Sequence, residues 1–366
     1  MEKMKSFNNV KSINFKVFFN GKGCVNYDHK GQKFTLFAKN LIKGKVNDNV
    51  KFAKKIFEDF KTEDGETKSR FKYKVSTDCL RDNMFKEEMQ FANSAIGNLS
   101  YIRYNAIATP AMIERGYMFP DTEQSIRKSS VFALSPAIEE GEWHTIVDME
   151  IHSTSGAKGN GNLNKEEVNS VNEDEKPGST SLYFCENVGN ATYVSEGFID
   201  LTEFQFLSGD MTYDRGCVLV DGGEEEKIYL NALKNHFGED FKFNCYHMKS
   251  DLAFDEWGER GILLTKKAVD MMVKDIFKRI FNINIYRKDA LFTFDHIEIT
   301  VNYGDEQIKF EKLPDIYANN ISDIEQYIFN YYPKYELCDE EKIKKNKELN
   351  ESILNCRKKE KKSSRK

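Results

Sequence analysis

The clearest alternation of hydrophobic and polar positions lies close to the N-terminus. In residues 12–19, every second position is occupied by Ile13, Phe15, Val17 or Phe19. A period of two that uses β-branched and aromatic residues predicts a strand with one buried face.

Similar patterns predict the remaining elements. Further strands are expected at 33–37, 70–75, 131–134, 143–152, 181–185, 193–201 and 291–303. Helical spacing of apolar residues predicts helices at 52–60, 78–85, 226–237, 265–281 and 323–331, and a helix-rich segment at 99–119. A charged loop is expected at 61–69. Together these elements predict an α+β fold with an antiparallel-rich sheet.

Two segments contain too few hydrophobic residues to bury a core. Residues 153–181 contain one Leu, two Val and one Ala as their apolar groups, and strands are predicted on both sides. We therefore expect a long flexible excursion from paired strands, which in a compact domain is often functional. The charged tail at 339–366 is expected to be a fraying helix or disordered.

Composition excludes several classes of protein. A hydrophobic share of 40% with 28 Phe and 17 Tyr excludes a disordered chain. We expect neither a transmembrane helix nor a signal peptide, since no apolar run is long enough and the N-terminus lacks a hydrophobic segment. The seven cysteines are scattered without a CxxC motif, so a reducing cytoplasm is the expected location.

Charge is distributed unevenly along the chain. The net charge is −5, yet residues 1–75 contain 18 Lys and Arg against 8 Asp and Glu, and residues 341–366 contain 11 against 4. Residues 76–340 are therefore strongly acidic. Basic ends can present a basic face to a polyanion even in an acidic protein, although most charged side chains are simply solvated.

Motifs for catalysis are scarce. The sequence contains no P-loop, no zinc-protease motif and no nucleophile elbow, and its six histidines are isolated. Asp28 and His29 form one acid–histidine pair in a predicted polar turn, where they could assist RNA cleavage. The preference of Asp for turns explains the pair more simply. We predict no cofactor and no metal site.

A basic strand that leads into a helix is the stronger candidate site. Lys72 and Lys74 share one face of the strand, Ser76 or Thr77 can cap the helix, and Arg81 lies in it. Helix N-termini offer N–H donors to anions, and Arg can bind a phosphate with two parallel hydrogen bonds. Taken alone, the segment is better explained by an ordinary solvated strand face.

At these positions the chain resembles the repeated backbone subunit of class 1 CRISPR effector complexes, of the RAMP superfamily, in its type I-F-variant or type IV-like form. Four features carry the resemblance: the strand 13–19 followed by a polar loop with Asn26, the sequence VSTDCLR at 75–81, the sequence RGYMF at 115–119, and the polar excursion at 153–181.

The resemblance implies a particular architecture and site. It implies an RRM-like (ferredoxin-like) palm at 10–84 and 120–335, a helical fingers insertion at 85–119, and a β-hairpin thumb at 153–181. Guide phosphates would be bound by Lys72, Lys74, Ser76, Arg81, Arg103 and Arg115, and Lys158, Asn160 and Asn162 would lie in the thumb.

The function implied is a non-enzymatic subunit that polymerises along a guide RNA (crRNA) and presents it for pairing. Its partners would be crRNA, further copies of itself, other CRISPR effector subunits and the target nucleic acid, without a membrane. Two alternatives stay open: a RAMP-type RNA endonuclease that uses Asp28 or His29, and a self-assembling structural protein of the phage type without nucleic acid.

Overall fold

A computed structural model gives the fold. It describes residues 4–23, 25–28, 50–88, 100–119, 126–141, 148–154, 181–187, 190–209, 223–249, 258–287, 290–303, 313–342, 344 and 348.

Strands make up most of the described chain. They are β1 (Lys5–Lys22), β2 (Tyr27–Asp28), β3 (Val50–Ala53), β4 (Lys55–Lys61), β5 (Thr67–Val75), β6 (Tyr117–Phe119), β7 (Ile126–Lys128), β8 (Phe132–Leu134), β9 (Ala137–Glu139), β10 (Asp148–Thr154), β11 (Ser181–Asn187), β12 (Asn190–Asp200), β13 (Phe206–Ser208), β14 (Phe241–Met248), β15 (Gly258–Leu264), β16 (Asn284–Arg287), β17 (Ala290–Tyr303), β18 (Ile316–Ala318), β19 (Tyr327–Tyr331) and β20 (Tyr335–Leu337). The described helices include α1 (Thr77–Met84), α2 (Ser100–Ile107), α3 (Pro110–Arg115), α4 (Leu201–Phe204), α5 (Glu224–Phe237), α6 (Lys266–Phe281) and α7 (Ile321–Glu325).

The largest sheet is built around β1. Its main strand order is β16-β17-β1-β12-β9-β5-β4, and β1 is antiparallel to both β12 and β17. Strands β8, β18 and β19 add to this sheet beside β12, β17 and β1. Three smaller sheets have the orders β10-β11-β3-β2, β13-β15-β14-β20 and β6-β7. The predicted α+β class with an antiparallel-rich sheet is confirmed.

One face of the large sheet forms the core with α6. The alternating residues Ile13, Phe15, Val17 and Phe19 of β1 are fully or almost fully buried, as predicted. Helix α6 begins at the Thr265 N-cap and buries one apolar face against them. The rings of Phe15 and Phe277 meet edge to face with centroids 5.8 Å apart.

The helix predicted at 52–60 is wrong, and the helix predicted at 323–331 is wrong over its second half. Residues 52–60 belong to strands β3 and β4, and β4 pairs with β5 along its whole length. The predicted charged loop at 61–69 shrinks to a turn with Gly65 at φ 80°. The predicted helix at 323–331 ends early, and β19 follows it as a parallel partner of β1. Helical spacing over one or two turns also fits a strand, and pairing partners decide between them.

The predicted excursion begins and ends in an antiparallel pair. β10 and β11 pair from Asp148–Asn187 to Thr154–Ser181. The intervening residues 155–180, and with them Lys158, Asn160 and Asn162, lie outside the described residues, as do the predicted strand at 33–37 and most of the tail. The palm, fingers and thumb boundaries stay predictions.

Candidate nucleic-acid interface

The junction between β5 and α1 forms as the sequence predicts. Ser76 is the N-cap of α1, and its Oγ accepts a hydrogen bond from the backbone N–H of Cys79 at 3.4 Å. The side-chain amide of Asn26 also donates to this Oγ at 2.8 Å. Ser76 therefore anchors the loop after β1 to the start of the helix.

Two lysines border a cleft at this junction. The half-buried Lys74 alternates with buried apolar residues of β5, and its N–H donates to the carbonyl of Lys54 at 2.9 Å. Lys54, Lys74 and Asn26 line one cleft. Neither lysine forms an ion pair with any residue that the structure describes. Neither ammonium group is therefore neutralised by a described carboxylate.

Arg81 and Arg115 are brought together although 34 positions separate them. Arg81 donates from Nη2 to the carbonyl of Arg115 at 2.7 Å, and its guanidinium lies 5.1 Å from the ring centroid of Phe132. Burial, followed by the charge of Arg115, lowers the pKa of Arg81. Asp82 lies 3.7 Å from Nη2 of Arg115.

Arg115 retains an unused donor. Its Nε is buried and has no hydrogen-bond partner among the described residues. Two neighbouring guanidinium groups suit a ligand with several negative oxygens.

The remaining predicted site residues are placed differently. Lys72 shares the half-buried positions of β5 with Lys74. Arg103 lies on α2, a helix held to α5 by a 2.8 Å hydrogen bond from the hydroxyl of Tyr104 to Glu225. The structure therefore assembles Lys74, Ser76, Arg81 and Arg115 around α1, and places Arg103 on a separate helix.

A second surface was missed in the sequence. The side chains of β1 from Lys16 to Lys22 that point away from α6, together with their neighbours on adjacent strands, form a surface that we call the open face. On it the rings of Phe18 and His296 stack with centroids 4.2 Å apart, and His296 stacks on Tyr317 at 4.9 Å. Phe18 was the available signal, since it is hydrophobic at a polar position of the alternation.

A groove of about 490 Å³ with both polar and apolar lining residues continues the open face towards the end of β1. Its lining comes from β1, β12 and β17 and includes Asn20, Lys22, Asn190, Thr192, Leu291 and Thr293. Asp295, at a bulge in β17, accepts a hydrogen bond from the Asn20 amide at 2.9 Å and contacts Nδ1 of His296 at 2.7 Å. The orientation of the His296 ring is therefore fixed.

Other kinds of site find less support. Within the described residues, no group of three or more His, Cys, Asp or Glu side chains is placed to hold a metal ion. Asp28 lies in β2, opposite Phe52 of β3, and His29 is outside the described part of the chain. Among the described helices, none is long and apolar enough to span a membrane.

The chain is similar to a known protein family and to a chain of a solved structure. A family described as "Type I-Fv CRISPR-associated protein Cas7fv-like" matches residues 9–334. A solved structure entitled "CRISPR RNA-guided surveillance complex, pre-nicking" contains a chain that is 8% identical, with a TM-score of 0.36 over 82% of this chain and 80% of that chain. No curated protein sequence matches this chain.

Proposed function

Because the chain belongs to the type I-Fv CRISPR-associated Cas7fv-like family, we propose that it is a crRNA-binding backbone subunit of a type I CRISPR effector complex. The observation that carries the proposal is the cleft in which Lys54 and Lys74, without ion pairs to described residues, border the capped start of α1. Such a site binds phosphates rather than bases, so RNA would be held independently of its sequence.

The Arg81–Arg115 pair extends this phosphate site. Arg81 lies in α1 and Arg115 is the last residue of α3, and the two side chains meet next to the junction. A neighbouring phosphate of the same RNA strand is the ligand that this pair fits. Lys72 and Arg103 would supply further positive charge along the strand and the helical insertion.

The sheet topology supports an RRM-like palm within this proposal. The order β17-β1-β12-β9 is antiparallel throughout, and α6 lies in the connection from β12 to β17, two strands that flank β1. This is the strand arrangement of a ferredoxin-like fold. The excursion between β10 and β11 would supply the thumb, and the subunit would have no catalytic role of its own.

The proposal also names partners. Copies of the chain would stack along one crRNA, together with other effector subunits, and would present the guide to a target nucleic acid. Contacts between copies would be heterologous, because a repeating backbone cannot close on itself as a dimer does.

The first test asks whether RNA is bound, and where. The purified protein should carry cellular RNA, seen as excess nucleic-acid absorbance. Replacing Lys54 and Lys74 by alanine should weaken binding of unrelated single-stranded RNAs alike and reduce the slope of log affinity against log salt by about 0.7 for each lost contact.

A matched control removes the same charge elsewhere. Lys242 on β14 and Lys278 on α6 are exposed and have no ion pair to a described residue, so their double alanine variant should keep the original slope. Protein that binds no RNA contradicts the proposed function, and an unchanged slope in the folded Lys54/Lys74 variant contradicts the assigned phosphate site.

A further inference from the structure

We propose that the open face is a second RNA-binding surface, on which unpaired bases stack against the column formed by Phe18, His296 and Tyr317. This inference rests on the proposed function and adds the part of the ligand that the phosphate site does not contact.

The strand register connects this column to the phosphate site. Paired positions on β5, β9, β12, β1 and β17 form one row across the sheet, and the row consists of Lys74, Ile138, Val194, Phe18 and His296. All five side chains are partly exposed. With strands about 4.8 Å apart, Lys74 lies about 14 Å from Phe18. One RNA strand can therefore contact both surfaces.

The column ends in an exposed ring. Tyr317 is 57% exposed, whereas His296 and Phe18 behind it are partly buried. Asp295, which accepts a hydrogen bond from Asn20, fixes His296, so a base that stacks on Tyr317 meets a preformed platform. Aromatic rings on an open sheet face bind bases of any sequence, since every base has a π-face.

Charges on the open face favour bases over phosphates at its centre. Asp295 and Glu298 lie beside the column, and Glu196 pairs with Lys16 at 3.6 Å. These carboxylates repel a phosphate. Two lysines without an ion pair to described residues lie further from the column. Lys74 is three strands away from Phe18, and Lys22 is four residues further along β1.

This charge pattern identifies the occupant. An acidic centre with an aromatic column and lysines about 14 Å away complements a single strand whose bases point inward and whose phosphates point outward. We therefore assign the surface to single-stranded RNA rather than to a second copy of the chain.

The test replaces the exposed ring. Tyr317→Ala should weaken single-stranded RNA binding about 5- to 150-fold, while Tyr317→Trp should retain it. The salt slope should stay unchanged, because stacking releases no counterions. The control is Tyr303→Ala, which removes a 45% exposed tyrosine about 17 Å along β17 from Glu298, the residue opposite Tyr317, and should have no effect.

Abasic RNA separates stacking from other causes. It keeps the phosphates but offers no bases, so wild type and Tyr317→Ala should bind it equally. If Tyr317→Ala loses as much affinity for abasic RNA as for normal RNA, the inference is overturned. It is also overturned if the folded variant binds normal RNA as tightly as wild type. Neither result would contradict the assigned phosphate site. A loss of self-association alone would assign the open face to a neighbouring copy and also overturn it. Wild type that binds no RNA at all overturns the proposed function instead.

Discussion

Arg279 is the residue that joins α6 to the segment around α1 and α3. Its guanidinium contacts the carboxylates of Glu88 at 2.5 Å, Asp275 at 2.8 Å and Glu114 at 3.1 Å, and lies 4.9 Å from the ring centroid of Phe85. One cation faces three carboxylates, so it cannot neutralise them all. The carboxylate with the least access to water should keep a proton.

That residue is Glu114, whose side chain is fully buried. Burial raises the pKa of Glu114 well above its usual value, and the charge of Asp275 adds to this effect. The charge of Arg279 acts in the opposite direction. Its Oε1 has no hydrogen-bond partner among the described residues, a position that a neutral acid tolerates better than a carboxylate. The raised pKa favours the protonated form of Glu114 in the folded protein.

This predicts a pH dependence of stability. The folded state holds a proton that the unfolded chain releases above about pH 4.3, so the free energy of unfolding falls as pH rises towards the raised pKa, by at most about 1.4 kcal/mol per pH unit. Glu114→Gln removes this titration and should be at least as stable as wild type at pH 7. Glu114→Ala should cost about 2 kcal/mol or more.

Denaturant unfolding of the three proteins across pH measures the effect. The free energy of unfolding of wild type minus that of Glu114→Gln should fall, and can become negative, as pH rises above about 4.3. A value of this signed difference that stays constant or rises with pH would mean that Glu114 is ionised when folded.

At the scale of elements, the pairing of β1 with β12 depends on a glycine. Gly197 lies opposite Phe15, and a Cβ at this position would overlap the Phe15 ring. Gly197→Ala should therefore destabilise the protein by about 1–3 kcal/mol through overpacking. Phe15→Leu should reduce that cost, and a double-mutant cycle measures the coupling. Additive effects would show that the ring and the glycine do not share this space.

Elements with strong periodicity were predictable. The buried face of β1, the Ser76 cap and the apolar face of α6 follow from local patterns. Strand β4 could not be predicted, because its hydrophobic residues Ile56, Phe57 and Phe60 also fit one helical face. Only its pairing with β5 shows that it is a strand. Ile56 and Phe57 are consecutive and both exposed, so buried and exposed side chains do not alternate clearly along β4.

The site was predictable only where its residues are close in sequence. Lys74, Ser76 and Arg81 follow one another along the chain, whereas Arg115 entered the candidate site only through the family resemblance, and its contact with Arg81 was not predicted. The column of Phe18, His296 and Tyr317 depends on long-range register and could not be derived from any one segment.

At the scale of the whole molecule, the basic and acidic parts of the chain do not form separate parts of the fold. β1, from the basic N-terminal part, lies between β12 and β17 of the acidic middle, and Lys16 pairs with Glu196 across that boundary. Part of the basic excess is therefore offset inside each copy. The remaining basic groups are available to RNA or to the acidic surface of a neighbouring copy.

This sets an expectation for assembly. If RNA bridges successive copies, protein–protein contacts alone should not sustain a polymer, and RNA length should limit it. Salt at about 1 M, with a Debye length near 3 Å, should dissolve the polymer by weakening phosphate contacts and exposed charge pairs together.

The central claim, a repeating subunit that assembles on RNA, is tested most directly by electron microscopy of the RNA-free protein mixed with single-stranded RNAs of increasing length. The account predicts open filaments whose length grows in proportion to the RNA, and none without RNA. Closed rings or dimers that form regardless of RNA length would contradict it.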